Sequence, residues 1–272
     1  MKKIYSIAIM LLCVIMSTSA AKVLINPGHG GHDSDDRPTP MPLGVEMFYE
    51  SDGNLTRGLY MRDFCKEVGL SYSMTRTTNY SSDDLNLTYI ATLSNNYGGY
   101  FSSLHTNGGN ASANYTIAFF RGYTYSPYSQ VIPPSQAMGL ALAKEHHNHM
   151  ITNETYTTPR SQSDYAFWGW NYGVLRTNTR PGYLMEAWFH DYRPETLRLK
   201  SDMYNRFLAW QTVRAFYNSP GGISALKGCI IGDVRDMSKA CGYTNYTTRD
   251  RDSYLAINGA TVTLYNSSGA QV

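Results

Sequence analysis

The stretch Val23-Leu24-Ile25-Asn26-Pro27-Gly28-His29-Gly30-Gly31-His32 decides how the rest of the chain is read. Three apolar residues make a short buried strand. Pro27 and the glycines end it and deliver an imidazole at the strand's carboxyl edge. Open α/β sheets hold their ligands at that edge. Glycine lets other groups approach the backbone closely. His29 therefore calls for partners elsewhere in the sequence.

Moving outward, Leu55, Leu59, Met61, Phe64, Cys65 and Val68 recur at roughly helical spacing and stop at Gly69. Leu70 to Thr75 alternate as a second strand. Asp83 and Asp84 stand where a helix through Leu87, Ile90, Ala91 and Leu93 would be capped, and Gly98-Gly99 ends it. Tyr100 to Leu104 form a third strand that runs into His105. Tyr115 to Phe120 form a fourth. A helix opens at Ser135 and reaches about His149. Gly182 to Trp188 read as a buried strand. A final helix is expected from about Pro194 to Tyr217, with Met203, Phe207, Trp210 and Val213 facing inward. Residues 33–48 and 151–173 lack a period and read as loops. Strands alternating with helices predict an α/β fold: a twisted, mostly parallel or mixed sheet with helices on both faces. After Ser219-Pro220-Gly221-Gly222 the pattern turns to β, at Cys229-Ile230-Ile231 and at Ala260 to Tyr265. Residues 219–272 are thus expected to be a linker and the start of a β-sandwich-like module.

The N-terminus reads as an export signal over residues 1–20, with Lys2 and Lys3, an apolar run from Ile7 to Met16, and small residues before Ala21. Cys13 invites a lipoprotein reading, but Leu12 stands where a small residue is expected. The apolar run is too short to span a bilayer as a mature helix. Without the signal, 21 basic residues balance 21 acidic ones. The near-neutral balance gives no support to nucleic-acid binding, which normally needs a basic face, or to an anionic membrane surface. Cys65, Cys229 and Cys241 remain. Cys229 and Cys241 lie close enough in sequence to pair, and Cys65 falls inside a helical pattern. None has the spacing of a thiolate zinc site.

Four residues carry the chemistry. His29 ends the first strand, Glu50 opens the first helix, and His105 ends the third strand in Ser103-Leu104-His105-Thr106-Asn107. Two imidazoles and a carboxylate are a catalytic zinc set that leaves a position open. Glu186 lies in the apolar strand Tyr183-Leu184-Met185-Glu186, and such strands seldom bury a carboxylate without a reason. Beside a metal it suits a general base acting on water. Each residue also has a plain reading: a packed histidine, a helix-start charge favoured by the dipole, half of an ion pair. His32 is either a partner to a ligand or a substitute ligand. Asp33 and Asp35 solvate a loop, and His146, His147 and His149 read as a solvated helix face. Tyr165, Phe167, Trp168, Trp170 and Tyr172 crowd the second loop, as a sugar-stacking surface, a lid or ordinary surface aromatics.

These motifs occur in a familiar order. Asn26-Pro27-Gly28-His29-Gly30-Gly31, Glu50-Ser51-Asp52-Gly53-Asn54-Leu55, Thr75-Arg76-Thr77-Thr78, Ser103-Leu104-His105-Thr106-Asn107 and Leu184-Met185-Glu186 together resemble the zinc-dependent N-acetylmuramoyl-L-alanine amidases of the amidase-3 type, over about residues 22–217. The resemblance implies a Zn2+ held by His29, Glu50 and His105, a catalytic Glu186, and a catalytic domain over residues 21–218. It implies cleavage of the amide between the lactyl group of N-acetylmuramic acid and L-alanine, with peptidoglycan as the partner and a periplasmic or extracellular bacterial setting. Any regulatory partner is left unnamed. The threonine–arginine motif carries no evident chemistry. One departure is at Ala187-Trp188-Phe189, where Trp188 stands in place of the family's glycine. Competing readings are a zinc peptidase or amidohydrolase of similar fold with another substrate, and a non-catalytic wall-binding module.

Overall fold

Strand β1 (Lys22–Pro27) is buried along nearly its whole length and sits inside a six-stranded sheet. The computed structural model describes residues 21–32, 39–40, 47–122, 131–149, 158–216, 228–232, 234–240, 254–257 and 259–272. The expected signal over 1–20, Asp33, Asp35 and Cys241 lie outside them. After β1 come a short antiparallel pair, β2 (Thr39–Pro40) and β3 (Met47–Phe48), then helix α1 (Glu50–Glu67) and strand β4 (Ser71–Met74). Helix α2 (Leu87–Tyr97), strands β5 (Tyr100–Asn107) and β6 (Ile117–Phe120), helix α3 (Pro133–Asn148) and strand β7 (Arg160–Ser163) follow. Two short helices, α4 (Asp164–Trp168) and α5 (Gly173–Arg176), precede strand β8 (Gly182–Phe189) and helices α6 (Arg193–Lys200) and α7 (Asp202–Ala215).

The sheet order is β4-β1-β5-β8-β6-β7. β6 runs antiparallel to β8, and every other pairing is parallel, so the sheet is mixed as the sequence predicts. Side chains alternate faces along a strand. Val23 and Ile25 join Met61, Leu104, Met138 and Phe207 under α1, α3 and α7. Leu24 joins Phe101, Phe119, Val174 and Leu184 on the other face, with α2 and α5. Both faces are covered, so β1 is apolar at consecutive positions.

Local signals explain the boundaries, including those that differ from expectation. Helix α2 is capped by Asn86, whose Oδ1 accepts from Thr88 N at 2.9 Å. Asp83 instead closes a 3-10 turn over Ser81–Asp83 and accepts from the Thr78 hydroxyl at 2.7 Å. The expected last helix is two helices. Ser201 breaks it with extended backbone and caps α7, while Asn205 donates to Leu199 O at 2.6 Å. Met203 consequently faces solvent, 58% exposed, whereas Phe207, Trp210 and Val213 are buried. The expected loop 151–173 contains β7 and α4. Arg160-Ser161-Gln162-Ser163 shows no apolar alternation because β7 is the sheet's edge strand, where polar side chains are normal. His146 is fully buried rather than part of a solvated face.

Beyond residue 228 the regular structure described is β: its two strands lie outside the stretches expected, and Tyr265 at the end of the expected Ala260 to Tyr265 stretch forms a bridge. Strand β9 (Arg235–Ala240) pairs antiparallel with β10 (Tyr254–Ala256), and Tyr265 bridges Gln271. Among the described residues no helix is long and apolar enough to cross a membrane, and Cys65 and Cys229 are free thiols.

Candidate metal centre and active site

Three parallel strands, β1, β5 and β8, present their carboxyl ends side by side. Gly28 N donates to Leu104 O at 2.9 Å and carries the β1–β5 pairing one residue beyond the strand. The chain then turns at His29, whose φ of 60° is left-handed. Helix α1 begins at Glu50, beside that ring. His29 Nε2 lies 3.3 Å from Glu50 Oε2, and His105 Nδ1 lies 3.2 Å from Glu50 Oε1. The two imidazoles meet edge to face with centroids 5.1 Å apart.

Ligand atoms of His29, Glu50 and His105 all lie within 4.8 Å of one another. Tetrahedral zinc with ligands at about 2.1 Å sets neighbouring donors roughly 3.4 Å apart. His29 and His105 each stand at about that distance from an oxygen of Glu50, on the two different oxygens, and one ligand atom from each of the three residues lies within 4.8 Å of the others, so the donor set fits a metal ion. Burial alone would push the Glu50 carboxyl up. Hydrogen bonds and charge from His105 and His29 outweigh it and hold the group well below the usual carboxylate range. Burial lowers the His105 imidazole against the opposing pull of Glu50, which keeps a ring nitrogen available as a ligand.

A layer of polar groups fixes these three. Thr106 N donates to Glu50 Oε1 at 2.8 Å, and Asn54 Nδ2 at 3.2 Å. Arg57, one turn on along α1, donates to Asn54 Oδ1 at 2.7 Å and to His105 O at 3.0 Å. Burial lowers its guanidinium to about 10 against the pull of Glu50 and Glu186, so it remains a cation at neutral pH. Arg76 reaches under the His29 turn. It donates to Pro27 O and Gly28 O at 3.0 Å and to Ser51 O at 2.8 Å, tying the β1 end to the start of α1. The threonine–arginine motif thus has a structural task that the sequence did not disclose, because its partners are backbone carbonyls.

Glu186 sits on β8 in register with His105 on β5 and is 8% exposed. Tyr172 OH donates to Glu186 Oε1 at 3.3 Å. Burial, and then the Glu186 charge, raise the Tyr172 phenol well above its ordinary value, so it stays a donor. His32 is elsewhere: it stacks on Tyr49 at 3.7 Å and meets Asp52 at 3.0 Å, outside the three-residue cluster. His147 and His149 are also outside that cluster.

The sequence model of the N-acetylmuramoyl-L-alanine amidase family matches residues 23–218, the whole of the unit that builds this site. The chain belongs to that family. Among solved structures it is similar to Cwp6 from Clostridium difficile, at 21% identity and a TM-score of 0.60 over 75% of this chain. That match spans only 30% of the Cwp6 chain. An N-acetylmuramoyl-L-alanine amidase from Clostridium difficile 630 is 22% identical with a TM-score of 0.57, covering 72% of this chain and 94% of that one. The amidase AmiC2 of Nostoc punctiforme is 20% identical with a TM-score of 0.56, over 72% and 94% of the two chains. At these identities the likeness establishes the fold, an α/β sheet flanked by helices. No curated protein sequence matches the chain.

Proposed function

We propose that this amidase is an exported zinc hydrolase that cuts the amide between N-acetylmuramic acid and L-alanine of peptidoglycan. The observation that carries the reading is the convergence of His29, Glu50 and His105 at one sheet edge, with Glu186 in register beside them. His29, Glu50 and His105 would hold the metal. When bound, zinc supplies Lewis acidity that polarises the amide carbonyl and makes water a nucleophile near neutral pH.

This chain's residues do the rest. Glu186 takes a proton from the attacking water and returns it to the leaving amine nitrogen, so that one carboxylate serves as base and then acid. The Tyr172 hydroxyl fixes Glu186 Oε1 during both transfers. Thr106 N and Asn54 hold the Glu50 carboxylate still, so that the base and the metal site keep their separation. The buried Arg57 charge offsets the concentration of carboxylates at this edge.

Elemental analysis and mass spectrometry of digested murein test this reading. About one zinc per chain is expected, with intact stem peptides released bearing a free L-alanine amino group. Glu186→Gln should keep its zinc and lose roughly a hundredfold or more in turnover. Full activity without metal, unchanged activity in Glu186→Gln, or cuts confined to the stem peptide would each overturn it.

A further inference from the structure

The aromatic segment after β7 leaves two tryptophans half-exposed outside the His29, Glu50 and His105 cluster. Trp168 and Trp170 are 43% and 49% exposed, with ring planes 20° apart and centroids 5.8 Å apart. Gly169 between them adopts a φ of 77°, which ends α4 and turns the chain so that the two indoles lie together. Large apolar rings that stack nearly parallel and stay half-exposed mark an interaction surface.

This pair is joined to the reacting centre. Trp168 Nε1 donates to Tyr172 OH at 3.1 Å, and that hydroxyl donates to Glu186 Oε1 at 3.3 Å. Trp170 meets the Tyr172 ring edge to face at 5.1 Å. The segment is also braced from beneath. Buried Asp164 accepts from Gly122 N at 2.8 Å, Tyr165 N at 2.7 Å, Asn171 Nδ2 at 2.9 Å and Tyr172 N at 3.0 Å. Phe167 and Tyr172 pack on Phe119 of β6, at 5.2 and 5.4 Å. The indoles are therefore held in place before any ligand arrives, which lowers the ordering cost of binding.

The chemistry of the ligand follows from that of the platform. An indole face carries the negative lobe of its quadrupole, which attracts polarised C–H bonds. A pyranose ring offers a face of such bonds and no net charge. A stem peptide, by contrast, is charged and has no ring of that kind. Resting on the amidase reading of the centre, we propose that Trp168 and Trp170 form a stacking platform for an N-acetylhexosamine ring of the glycan strand, on the sugar side of the scissile amide. The platform sets the register of the strand against Glu186, and so makes the enzyme select amides carried on glycan.

Calorimetric titration separates the possibilities. The probes are a peptide-free tetrasaccharide of alternating N-acetylglucosamine and N-acetylmuramic acid, and the free stem peptide. Trp168→Ala and Trp170→Ala should each weaken tetrasaccharide binding by about tenfold, leave stem-peptide binding unchanged, and raise KM on murein more than they lower kcat. Trp170→Phe should recover most of the loss. Both sites are half-exposed, so circular dichroism should show folded variants. Absence of tetrasaccharide binding to the wild-type protein, wild-type affinity in both alanine variants, or a loss confined to the stem peptide would overturn the proposal. Tetrasaccharide binding that depends on both tryptophans, in a zinc-loaded protein that releases no stem peptide, would sustain the platform and sink the amidase reading.

Discussion

At Gly28 the absence of a side chain is what lets His105 stand where it does. A Cβ at that position would fall 2.1 Å from His105 Cε1 and 2.3 Å from Nε2, closer than any real contact. Two ligand-bearing strands can approach only because one offers bare backbone to the other's imidazole. Gly28→Ala should therefore push the ring aside. The atoms the new Cβ would meet belong to a side chain and not to backbone, so the fold should survive, whereas His105 loses its place beside Glu50 and the metal site does not survive. Zinc affinity is expected to fall at least as far as when a ligand's supporting contacts are removed, roughly 10- to 100-fold. Zinc titration checks this, with circular dichroism to show retained structure; wild-type affinity would refute it. At this scale the sequence is uneven. His29, Glu50, His105 and Glu186 are visible because their residue types carry chemistry. Arg76 stands in plain sight but binds carbonyls, and the carbonyls a side chain meets are fixed only by the fold. Tyr172 is hidden among other aromatics, since nothing local says which hydroxyl reaches Glu186.

At the scale of the element, β8 carries an irregularity that the sequence hinted at. His105 pairs with Glu186 but Asn107 pairs with Phe189, so β8 has one residue more than β5 over that span. The bulge falls just after the candidate base, where such features re-aim side chains. Trp188 takes it up with a φ of 57°, the left-handed region that favours glycine. This explains why a glycine belongs at that place in the family pattern. Here the backbone cost, about 1–2 kcal/mol, is offset by burial of a whole indole against Tyr204 and His146, at 5.9 and 5.2 Å. Trp188→Gly would relax the backbone and leave a large void. Loss of a buried tryptophan costs roughly 3–5 kcal/mol. A net destabilisation of about 2–3 kcal/mol in urea denaturation is expected, and a variant as stable as the wild type would show that strain dominates. The other elements were legible in proportion to their periodicity. β1, β5, β8 and α1 carry apolar runs or helical spacing. β7 does not, because an edge strand has little to bury. Ser201 interrupts a helical pattern with a cap, which spacing alone passes over.

Across the whole molecule, the sheet edge was legible because β1 and β5 lead into the two imidazoles that meet Glu50 at the start of α1, whereas burial depends on packing between distant elements. His146 shows the difference. Its neighbours His147 and His149 suggest a solvated face, yet the ring lies in the core near Trp188, and neither nitrogen has a hydrogen-bond partner among the described residues. Burial, reinforced by the Arg57 charge, holds its pKa well below 6.5. Cys65 is the alkaline counterpart: burial pushes its thiol from 9.0 up to about 12. The signs follow from proton counting. Below pH 6.5 the unfolded chain binds a proton at His146 that the folded chain refuses, so stability falls as pH drops, by about 1.4 kcal/mol per pH unit for one proton. Between pH 9 and about 12 the unfolded chain releases a thiol proton that the folded chain keeps, so stability falls as pH rises. A plateau is expected between these limbs. Urea denaturation across pH should show it, and two variants isolate the groups. Relative to wild type, His146→Leu should gain stability progressively as pH falls below 6.5, and Cys65→Ala should gain progressively as pH rises above 9. Curves that stay parallel to wild type at both ends would mean that neither group is held neutral by the fold.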